Sequence, residues 1–349
     1  MSKQNAIQKV VLAVIRELSQ RNRDIISRRF GLKNGKKETL ESIGKSYNIT
    51  RERVRQIEES TLANLTKASA SNEEVQRYIS LSANILREHG GVLNENALFD
   101  SFSGNGGDTV ANASLAFLLR LDSELVRVQE NDNFNTFWAT DKAHLASFKN
   151  SVSAMTQVLN GRGGVLHENE FFNLLKQNNV TGFESEPLNE KHLQVCFSIS
   201  KNLGKNIFDE VGLASWPEVK PKGVKDKAYL VLKKNKEPKH FSDIAKLINT
   251  IGFGGKRANV QTVHNELIKD DRFVLVGRGM YALSELGYKA GTVKEVLVAI
   301  LKDKPLVKGA ILAKVMNARM VKENTILLNL QDSKTFIKNP DGTYQLRKA

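Results

Sequence analysis

Apolar residues recur at helical spacing in two consecutive segments near the N-terminus. The first series is Leu40, Ile43 and Tyr47, and the second is Val54, Ile57 and Leu62. Such spacing places the apolar side chains on one face of each helix, toward a common core. Asn48 is expected to end the first helix, and Ile49 to enter the core. Over residues 28–58 the pattern therefore predicts two short helices, a tight turn and a third helix.

Both helices begin at residues that favour capping. Thr39 is expected to cap the first helix, and Glu41 lies in its first turn, near the positive end of the helix dipole. Thr50 is expected to cap the second helix. Arg53 occupies the position where a complete capping box has Glu or Gln, so the box is incomplete.

The second helix carries long polar side chains on the face opposite its apolar series. They are Arg51, Glu52, Arg55 and Gln56. This first turn and a half is the part of a recognition helix that reaches base edges in the DNA major groove. Arg can pair bidentately with guanine and Gln with adenine, and Glu can accept a hydrogen bond from cytosine N4. The alternative interpretation is a solvated charged face on an ordinary amphipathic helix.

Four motifs follow one another in this region. They are LSQR at residues 18–21, IISRRFGL at 25–32, TLESIG at 39–44 and TRERVRQIE at 50–58. Together they resemble region four of the housekeeping-type bacterial sigma factors, over about residues 5–68. In that family the module reads the promoter −35 element and docks on the flap of the RNA polymerase β subunit.

The resemblance assigns roles by position. The base readers would be Arg51, Glu52, Arg55 and Gln56, and the candidate DNA backbone contacts would be Thr50 and Arg53. After Glu58 the sequence departs from the family, which usually continues with several Lys or Arg. Here Glu59, Ser60, Asn64 and Thr66 follow. The departure implies a weaker hold on phosphate toward the end of the helix.

The rest of the chain repeats one plan four times, with an irregular period of roughly 60–75 residues. The expected domains are 1–70 for the helix-turn-helix, then 71–142, 143–218, 225–286 and 287–349. Each copy contains three predicted helices followed by a two-stranded wing, which is the winged-helix plan. We therefore expect a mainly α fold with small β wings, in which an N-terminal helix-turn-helix precedes about four tandem winged-helix domains.

The first two copies share a signature. Residues 163–170 echo residues 90–97, with two glycines followed by Val-Leu. The first wing is predicted at residues 124–128 and 136–139, and the second at 206–210 and 212–216. These strands place Trp138 and Trp216 at equivalent positions.

The third copy resembles the HARE-type winged helix, a module also found in the delta subunit of bacterial RNA polymerase. The resemblance covers about 60 residues and depends on FSDIA from residue 241, a TV helix and the run FVLVGRGMYAL from residue 273. Ser242 is the expected cap of its second helix. The fourth copy has helices predicted at 293–301, 307–315 and 323–332, and strands at 335–338 and 344–346.

Charge is distributed unevenly along the 349 residues, whose net charge is +14. Residues 1–70 carry a net charge of +8, residues 71–218 a net charge of −8 and residues 219–349 a net charge of +14. Basic segments are attracted to a phosphate backbone and an acidic one is repelled by it. We therefore expect the middle to contact protein or to space the ends apart, with a linker at residues 217–227.

Composition excludes several classes of function. The single cysteine, Cys196, excludes disulfides within the chain and is expected to be a buried structural thiol. No signal peptide and no apolar run of about 18–20 residues is present, so we expect a protein of the bacterial cytoplasm or nucleoid, without membrane contact. Neither a cofactor nor a small-molecule ligand is expected.

Candidate sites for phosphate, metal and catalysis each have a plainer explanation. Residues 252–257 resemble a phosphate loop but lack its spacing, so a loop is expected in which Lys256 and Arg257 contact DNA backbone, as Arg278 would from the wing. The six histidines lack the spacing of a metal site. A nuclease-like set is Asp209, Glu218 and Lys220, for which a wing and a linker are the preferred explanation.

These features lead to three hypotheses. The first is a sigma-type transcription initiation factor or accessory that reads −35-like double-stranded DNA and docks on RNA polymerase. We expect no promoter-melting region, so the chain would be half of a split sigma, a regulator competing for the flap, or a DNA-binding protein with a borrowed module. The second is a non-enzymatic interaction protein whose helix-turn-helix only docks on polymerase. The third, an enzyme, is disfavoured.

Overall fold

The computed structural model describes residues 3–288, 291–319 and 321–347. The chain divides into two compact units, Met1–Ser215 and Trp216–Ala349. Each unit is mainly helical and contains small antiparallel sheets of three strands. This architecture confirms the expected mainly α fold with small β sheets and is consistent with winged helices. The domain boundaries given above stay predictions.

The first unit opens with four helices. They are α1 (Lys3–Ile15), α2 (Gln20–Phe30), α3 (Leu40–Tyr47) and α4 (Arg51–Ser69). A small core of Ile25, Ile43 and Val54 joins α2, α3 and α4. Helices α3 and α4 contain the two apolar series and match the helices predicted on either side of the tight turn.

The remainder of the first unit contains two helix-and-sheet modules in succession. The first consists of α5 (Glu73–Glu88), β1 (Val92–Asn94), α6 (Glu95–Ser103), α7 (Val110–Leu119), β2 (Val126–Val128) and β3 (Phe137–Ala139). The second consists of α8 (Lys142–Arg162), β4 (Leu166–His167), α9 (Glu168–Gln177), α10 (Glu190–Ile199), β5 (Leu203–Lys205) and β6 (Glu210–Leu213). Both sheets have their last strand in the centre, in the orders β1-β3-β2 and β4-β6-β5.

The second unit repeats this arrangement twice. One module consists of α11 (Val224–Asn235), β7 (Lys239–His240), α12 (Phe241–Ile251), α13 (Val260–Lys269), β8 (Phe273–Gly277) and β9 (Met280–Leu283). The other consists of α14 (Val293–Leu301), β10 (Leu306–Val307), α15 (Lys308–Ala318), α16 (Glu323–Leu330), β11 (Phe336–Lys338) and β12 (Thr343–Leu346). The strand orders are β7-β9-β8 and β10-β12-β11.

Each sheet contains one more strand than the sequence predicts. The extra strand precedes the second helix of its module and pairs with the central strand, as Leu93 does with Trp138. These strands have only two or three residues, which is too short for an alternating pattern. They form because the central strand offers backbone partners, so tertiary pairing rather than local preference specifies them.

The strands of the second wing begin and end two to five residues earlier than predicted. Residues 206–209 form the turn rather than a strand, because the Asn206 side chain accepts hydrogen bonds from the backbone of Phe208 and Glu210. Val211 pairs with Leu166, the counterpart of Leu93 in the shared signature. Val211 therefore occupies the position of Trp138, and the expected equivalence of the two tryptophans is wrong.

Two further expectations need correction. Helix α12 begins one residue before Ser242, because the His240 side chain accepts a hydrogen bond from the Ser242 backbone and acts as the cap. Helix α11 begins at Val224, so the last four residues of the predicted linker are helical.

Candidate nucleic-acid interface

Two residues fix the turn between α3 and α4, one by its left-handed backbone and one by the absence of a side chain. Asn48 ends α3 in the left-handed region, at φ 52°. Gly44 lies one turn earlier, where a Cβ atom would come within 2.7 Å of the Ile49 carbonyl oxygen. Only a glycine leaves room for that backbone approach, so Gly44 sets how closely α4 follows α3.

The expected caps are present. Thr39 accepts a hydrogen bond from the Ser42 backbone at 3.1 Å, and Thr50 accepts one from the Arg53 backbone at 3.2 Å. These bonds satisfy backbone N–H groups that a helix start otherwise leaves unpaired. They also fix the start of α4, and with it the direction of every side chain in its first turns.

The four predicted base readers are exposed together on the first turn and a half of α4. They are Arg51, Glu52, Arg55 and Gln56. Val54 is fully buried on the opposite face. Arg53 is also exposed and donates a hydrogen bond to the Gln56 side chain at 3.2 Å. Among the described residues, Arg51 and Arg53 form no ion pair, whereas Glu52 and Arg55 pair with each other.

Arg55 is held between two carboxylates on its own helix. Its Nε and Nη2 atoms donate to Glu52 at 2.9 and 2.6 Å, and its Nη1 atom donates to Glu59. These hydrogen bonds, first from Glu52 and then from Glu59, hold the pKa of Arg55 above its usual range. The same contact lowers the pKa of Glu52, so both groups stay charged at neutral pH. Glu59 was not among the predicted site residues, although its spacing of four from Arg55 could have indicated the pair.

Ion pairs between helices support α4 from beneath. Arg29 of α2 contacts Glu58 of α4 at 3.0 Å. Arg28 forms a bidentate pair with Glu38, at 2.9 and 2.7 Å, in the segment that leads into α3. The hydrogen bonds and charge of Arg28 hold the pKa of Glu38 below its usual range despite partial burial. The conformation of the helix-turn-helix is therefore fixed by polar contacts as well as by its small core.

The helix-turn-helix packs on the first helix-and-sheet module of the same unit. Helix α1 lies along α7, which is buried over nearly its whole length, and Phe30 meets Phe117 edge-to-face at 5.2 Å. A polar contact adds to this, because Lys37 approaches Glu95 at 3.6 Å. The helix-turn-helix therefore packs against the acidic module through α1, α2 and Lys37.

Glu95 is the centre of a buried polar cluster that sequence reasoning missed. It is 7% exposed, accepts two hydrogen bonds from Arg127 at 2.6 and 2.8 Å, and accepts one from the Trp138 indole at 2.9 Å. Burial alone would raise the pKa of Glu95, but the hydrogen bonds and charge of Arg127, aided by Lys37, hold it below its usual value. The partners lie 32 and 43 residues away in sequence, so no local pattern announces them.

The candidate backbone contacts of the second unit lie in two turns. Lys256 and Arg257 are exposed in the loop that precedes α13, and the Asn249 side chain holds that loop through the backbone of Ala258 at 2.7 and 3.0 Å. Arg278 is exposed at the turn between β8 and β9. In the described part of the unit no hydrogen bond or ion pair joins these residues, so they are separate positive points on one module.

The remaining candidates have structural explanations. Asp209 sits in the turn between β5 and β6, and Glu218 approaches Lys233 at 3.8 Å. Cys196 is fully buried, and burial raises the pKa of its thiol well above the usual range. The phosphate-loop-like stretch is the loop between α12 and α13.

Tertiary folding also gathers one set of metal-binding side-chain types. His144 Nδ1 lies 2.7 Å from Asp141 and 3.1 Å from Glu184, and the three ligand atoms are within 4.8 Å of one another. Asp141 also caps α8 by accepting from the His144 backbone at 2.8 Å. Capping and ion pairing account for the cluster.

Among the described helices, none combines the length and apolar character that crossing a membrane requires.

Comparison with known proteins agrees with the geometry at the N-terminus. Residues 14–67 match the family model of sigma-70, region 4. RNA polymerase sigma factor SigA of Nostoc sp. is 40% identical over 75 residues, which is 22% of this chain and 19% of that protein. SigA of Clostridium acetobutylicum is 41% identical over 63 residues, covering 18% and 17% of the two chains. SigA of Synechocystis sp. is 44% identical over 66 residues, covering 19% and 15%.

These matches confirm the resemblance to sigma-70 region 4, over a span slightly shorter than the residues 5–68 expected. The chain spans about a fifth of the length of the curated relatives it matches. The matched segment contains α2, α3, the helix-turn-helix turn and nearly all of α4. All four predicted base readers, together with Glu59, therefore lie inside it.

Proposed function

We propose that this chain is a sequence-specific DNA-binding transcription initiation factor, or an accessory to initiation, that reads −35-like promoter DNA and docks on RNA polymerase. One observation carries the proposal. The exposed group Arg51, Glu52, Arg55 and Gln56 occupies the start of α4, inside the segment that matches sigma-70 region 4. In a helix-turn-helix this is the part of the recognition helix that reaches the bases.

The chemistry of these side chains suits the major groove. Arg51 and Arg55 can each donate two hydrogen bonds to guanine O6 and N7, and Gln56 can bind adenine through N6 and N7. Glu52 can accept from cytosine N4. Thr50 keeps its hydroxyl hydrogen free for a phosphate oxygen while its oxygen caps α4. Arg53 supplies a charge beside the reading face, where it can hold the opposite phosphate strand.

The second unit would add a sequence-independent hold on DNA. Residues 219–349 carry a net charge of +14, and Lys256, Arg257 and Arg278 are exposed at turns of its first module. Phosphate contacts of this kind release counterions, so binding should weaken steeply as salt rises. The acidic residues 71–218 would face protein instead.

Polymerase docking follows from the family resemblance. The sigma-like module would bind the flap of the polymerase β subunit, as in the housekeeping-type factors. The third repeat resembles the HARE-type winged helix of the delta subunit, which suggests a second link to polymerase. We infer a non-enzymatic protein of the bacterial cytoplasm or nucleoid.

The proposal is tested by capturing the protein from its native cells and measuring whether RNA polymerase is recovered with it. Recovery that resists nuclease treatment supports direct docking, since DNA then cannot bridge the two. A capture that contains DNA but no polymerase would refute the docking part and leave the DNA-reading part standing.

A second candidate function can be distinguished from the first with a variant of Arg55. The chain could be a protein-interaction module of RNA polymerase with only nonspecific DNA binding. The engagement of Arg55 by two carboxylates favours this alternative, because a paired guanidinium is less free to read a base. The two functions differ in the effect of Arg55→Ala. Loss of sequence preference supports direct readout, whereas unchanged DNA binding with polymerase still recovered supports the docking module.

A further inference from the structure

The contacts of Arg55 point to a residue that limits DNA affinity. We propose that Glu59, which is not among the predicted base readers, competes with DNA for the Arg55 guanidinium and so weakens DNA binding by α4. The inference rests on the proposed DNA-reading function of α4. It names Glu59 as a residue that sets affinity from just outside the group that touches the bases.

In the absence of DNA, three of the five N–H groups of Arg55 donate to carboxylates on the same helix. Glu52 takes Nε and Nη2, and Glu59 takes Nη1 from one turn further along the helix. A guanidinium that reads guanine needs two of its N–H groups aimed at one base edge. Because the two carboxylates hold it along the helix surface from both sides, the side chain must leave at least one of them before it reaches the groove.

Glu59 differs from Glu52 in what it does after Arg55 leaves. Glu52 is a predicted base reader and has its own hydrogen-bond acceptor role. Among the described residues, Arg55 is the one cation that forms an ion pair with Glu59, and Arg29 pairs with the neighbouring Glu58 instead. Between Arg55 and Lys67 the helix carries no Lys or Arg. A released Glu59 therefore faces the phosphates with its charge unbalanced, and like charges repel.

Both carboxylates are solvent-exposed, which limits the size of the effect. An exposed pair is screened by salt, and each partner gives up little when it separates. The expected penalty is therefore a few-fold in affinity rather than an abolition of binding. Such a penalty would make the chain depend on a second contact, to DNA or to polymerase, for stable occupancy of its site.

The test uses the full chain and a duplex that the wild-type protein selects from a random-sequence pool, with binding measured by fluorescence anisotropy at fixed salt. Glu59→Gln keeps the side chain's shape and removes its charge. It should tighten binding by about 2- to 5-fold, by relief of an exposed ion pair and of phosphate repulsion. Glu73→Gln is the control, since it removes an exposed charge from the next helix, α5, outside the segment that matches sigma-70 region 4.

A double-mutant cycle separates competition from simple repulsion. In an Arg55→Ala background the gain from Glu59→Gln should fall to less than half, because no guanidinium remains to be released. An undiminished gain would mean that Glu59 acts only on the phosphates and would overturn the competition. No gain in either background, with Arg55→Ala still weakening binding, would also overturn it. If selection yields no preferred sequence and Arg55→Ala changes nothing, the proposed DNA-reading function itself fails.

Discussion

Helices α4 and α13 occupy the same place in their modules but present different chemistry to solvent. Helix α4 starts with four exposed side chains that can pair bidentately or accept from bases. Helix α13 exposes Gln261, Thr262 and Asn265, and its one cation, Lys269, lies in its last turn, whereas Lys256 and Arg257 lie in the loop ahead of it. Under the proposed function, α4 would therefore read bases, whereas α13 and the loop ahead of it would contact only phosphate.

The two helices also differ in their foundations. Helix α4 belongs to a helix-turn-helix with a three-residue core, reinforced by ion pairs and by packing on a neighbouring module. Helix α13 belongs to a larger apolar core of its own module, which includes Val263 and Leu267. The position of α4 therefore depends on polar contacts and on packing against a neighbouring module, whereas that of α13 depends on the apolar core of its own module.

The largest effect is expected from a substitution of Glu95, which pairs with Lys37 and so links the helix-turn-helix to the first helix-and-sheet module. Glu95→Ala leaves the partly buried Arg127 and the buried Trp138 indole without their partner, so we expect a loss of about 3 kcal/mol in the free energy of unfolding of the first unit. Urea unfolding followed by Trp138 fluorescence, in a Trp216→Phe background, measures it. A loss below about 1 kcal/mol would show that the cluster is not structural.

The same residue predicts a pH dependence. The pKa of folded Glu95 lies below its ordinary value of 4.5, so its stabilising contribution is complete above that value. As pH falls through the lower folded pKa the carboxyl takes up a proton and the contribution is lost. Glu95→Gln should therefore unfold with a shallower acid dependence than the wild type. Identical dependence in the two proteins would contradict the assignment.

The next prediction compares two glycines in the helices that precede α4 and α13, Gly44 within α3 and Gly252 at the end of α12. Gly44→Ala forces a Cβ against the Ile49 carbonyl, and we expect it to cost about 1–3 kcal/mol. Gly252→Ala meets no atom within 4 Å, so its cost should be about 1 kcal/mol from its φ of 76° alone. Amide hydrogen exchange in α3 and α4, and separately in α12 and α13, measures both. A larger effect at Gly252 would reverse the explanation.

A smaller effect tests readout directly. Arg55→Ala should weaken binding to the selected duplex by about tenfold to a hundredfold and bring it close to that of a scrambled duplex. Gln261→Ala in α13, the matched change, should alter both affinities by less than about twofold. Competition anisotropy with the two duplexes provides the ratio. Equal losses from both changes would mean that α13 also reads sequence.

Local features of the reading module were predictable from sequence. Thr39 and Thr50 act as caps, Val54 is buried and the four readers are exposed, because the 3.6-residue period and the capping preference depend on neighbours only. The contact of Arg55 with Glu59 also follows from spacing within one helix. What one helix determines, its sequence can predict.

Features that depend on distant partners were not predictable. Strand β1 exists because β3 pairs with it, and Glu95 is buried because Arg127 and Trp138 come from a hairpin far along the chain. The second wing was misplaced because residues 206–216 alternate in more than one register, and the Asn206 side chain decided which one forms. These strands and side-chain contacts form through hydrogen bonds between segments that are far apart in the sequence, so no single segment predicts them.

The smallest effect concerns the phosphate hold of the second unit. Lys256→Ala combined with Arg257→Ala should weaken binding to selected and scrambled duplexes alike, by about 3- to 10-fold, because phosphate contacts carry no sequence information. The slope of log affinity against log salt should fall by about 2, one for each lost contact. Arg55→Ala should instead change the ratio between duplexes and leave that slope nearly unaltered. If the loop variant changed the ratio, α13 would be placed against bases, and the two helices would share the reading of one site.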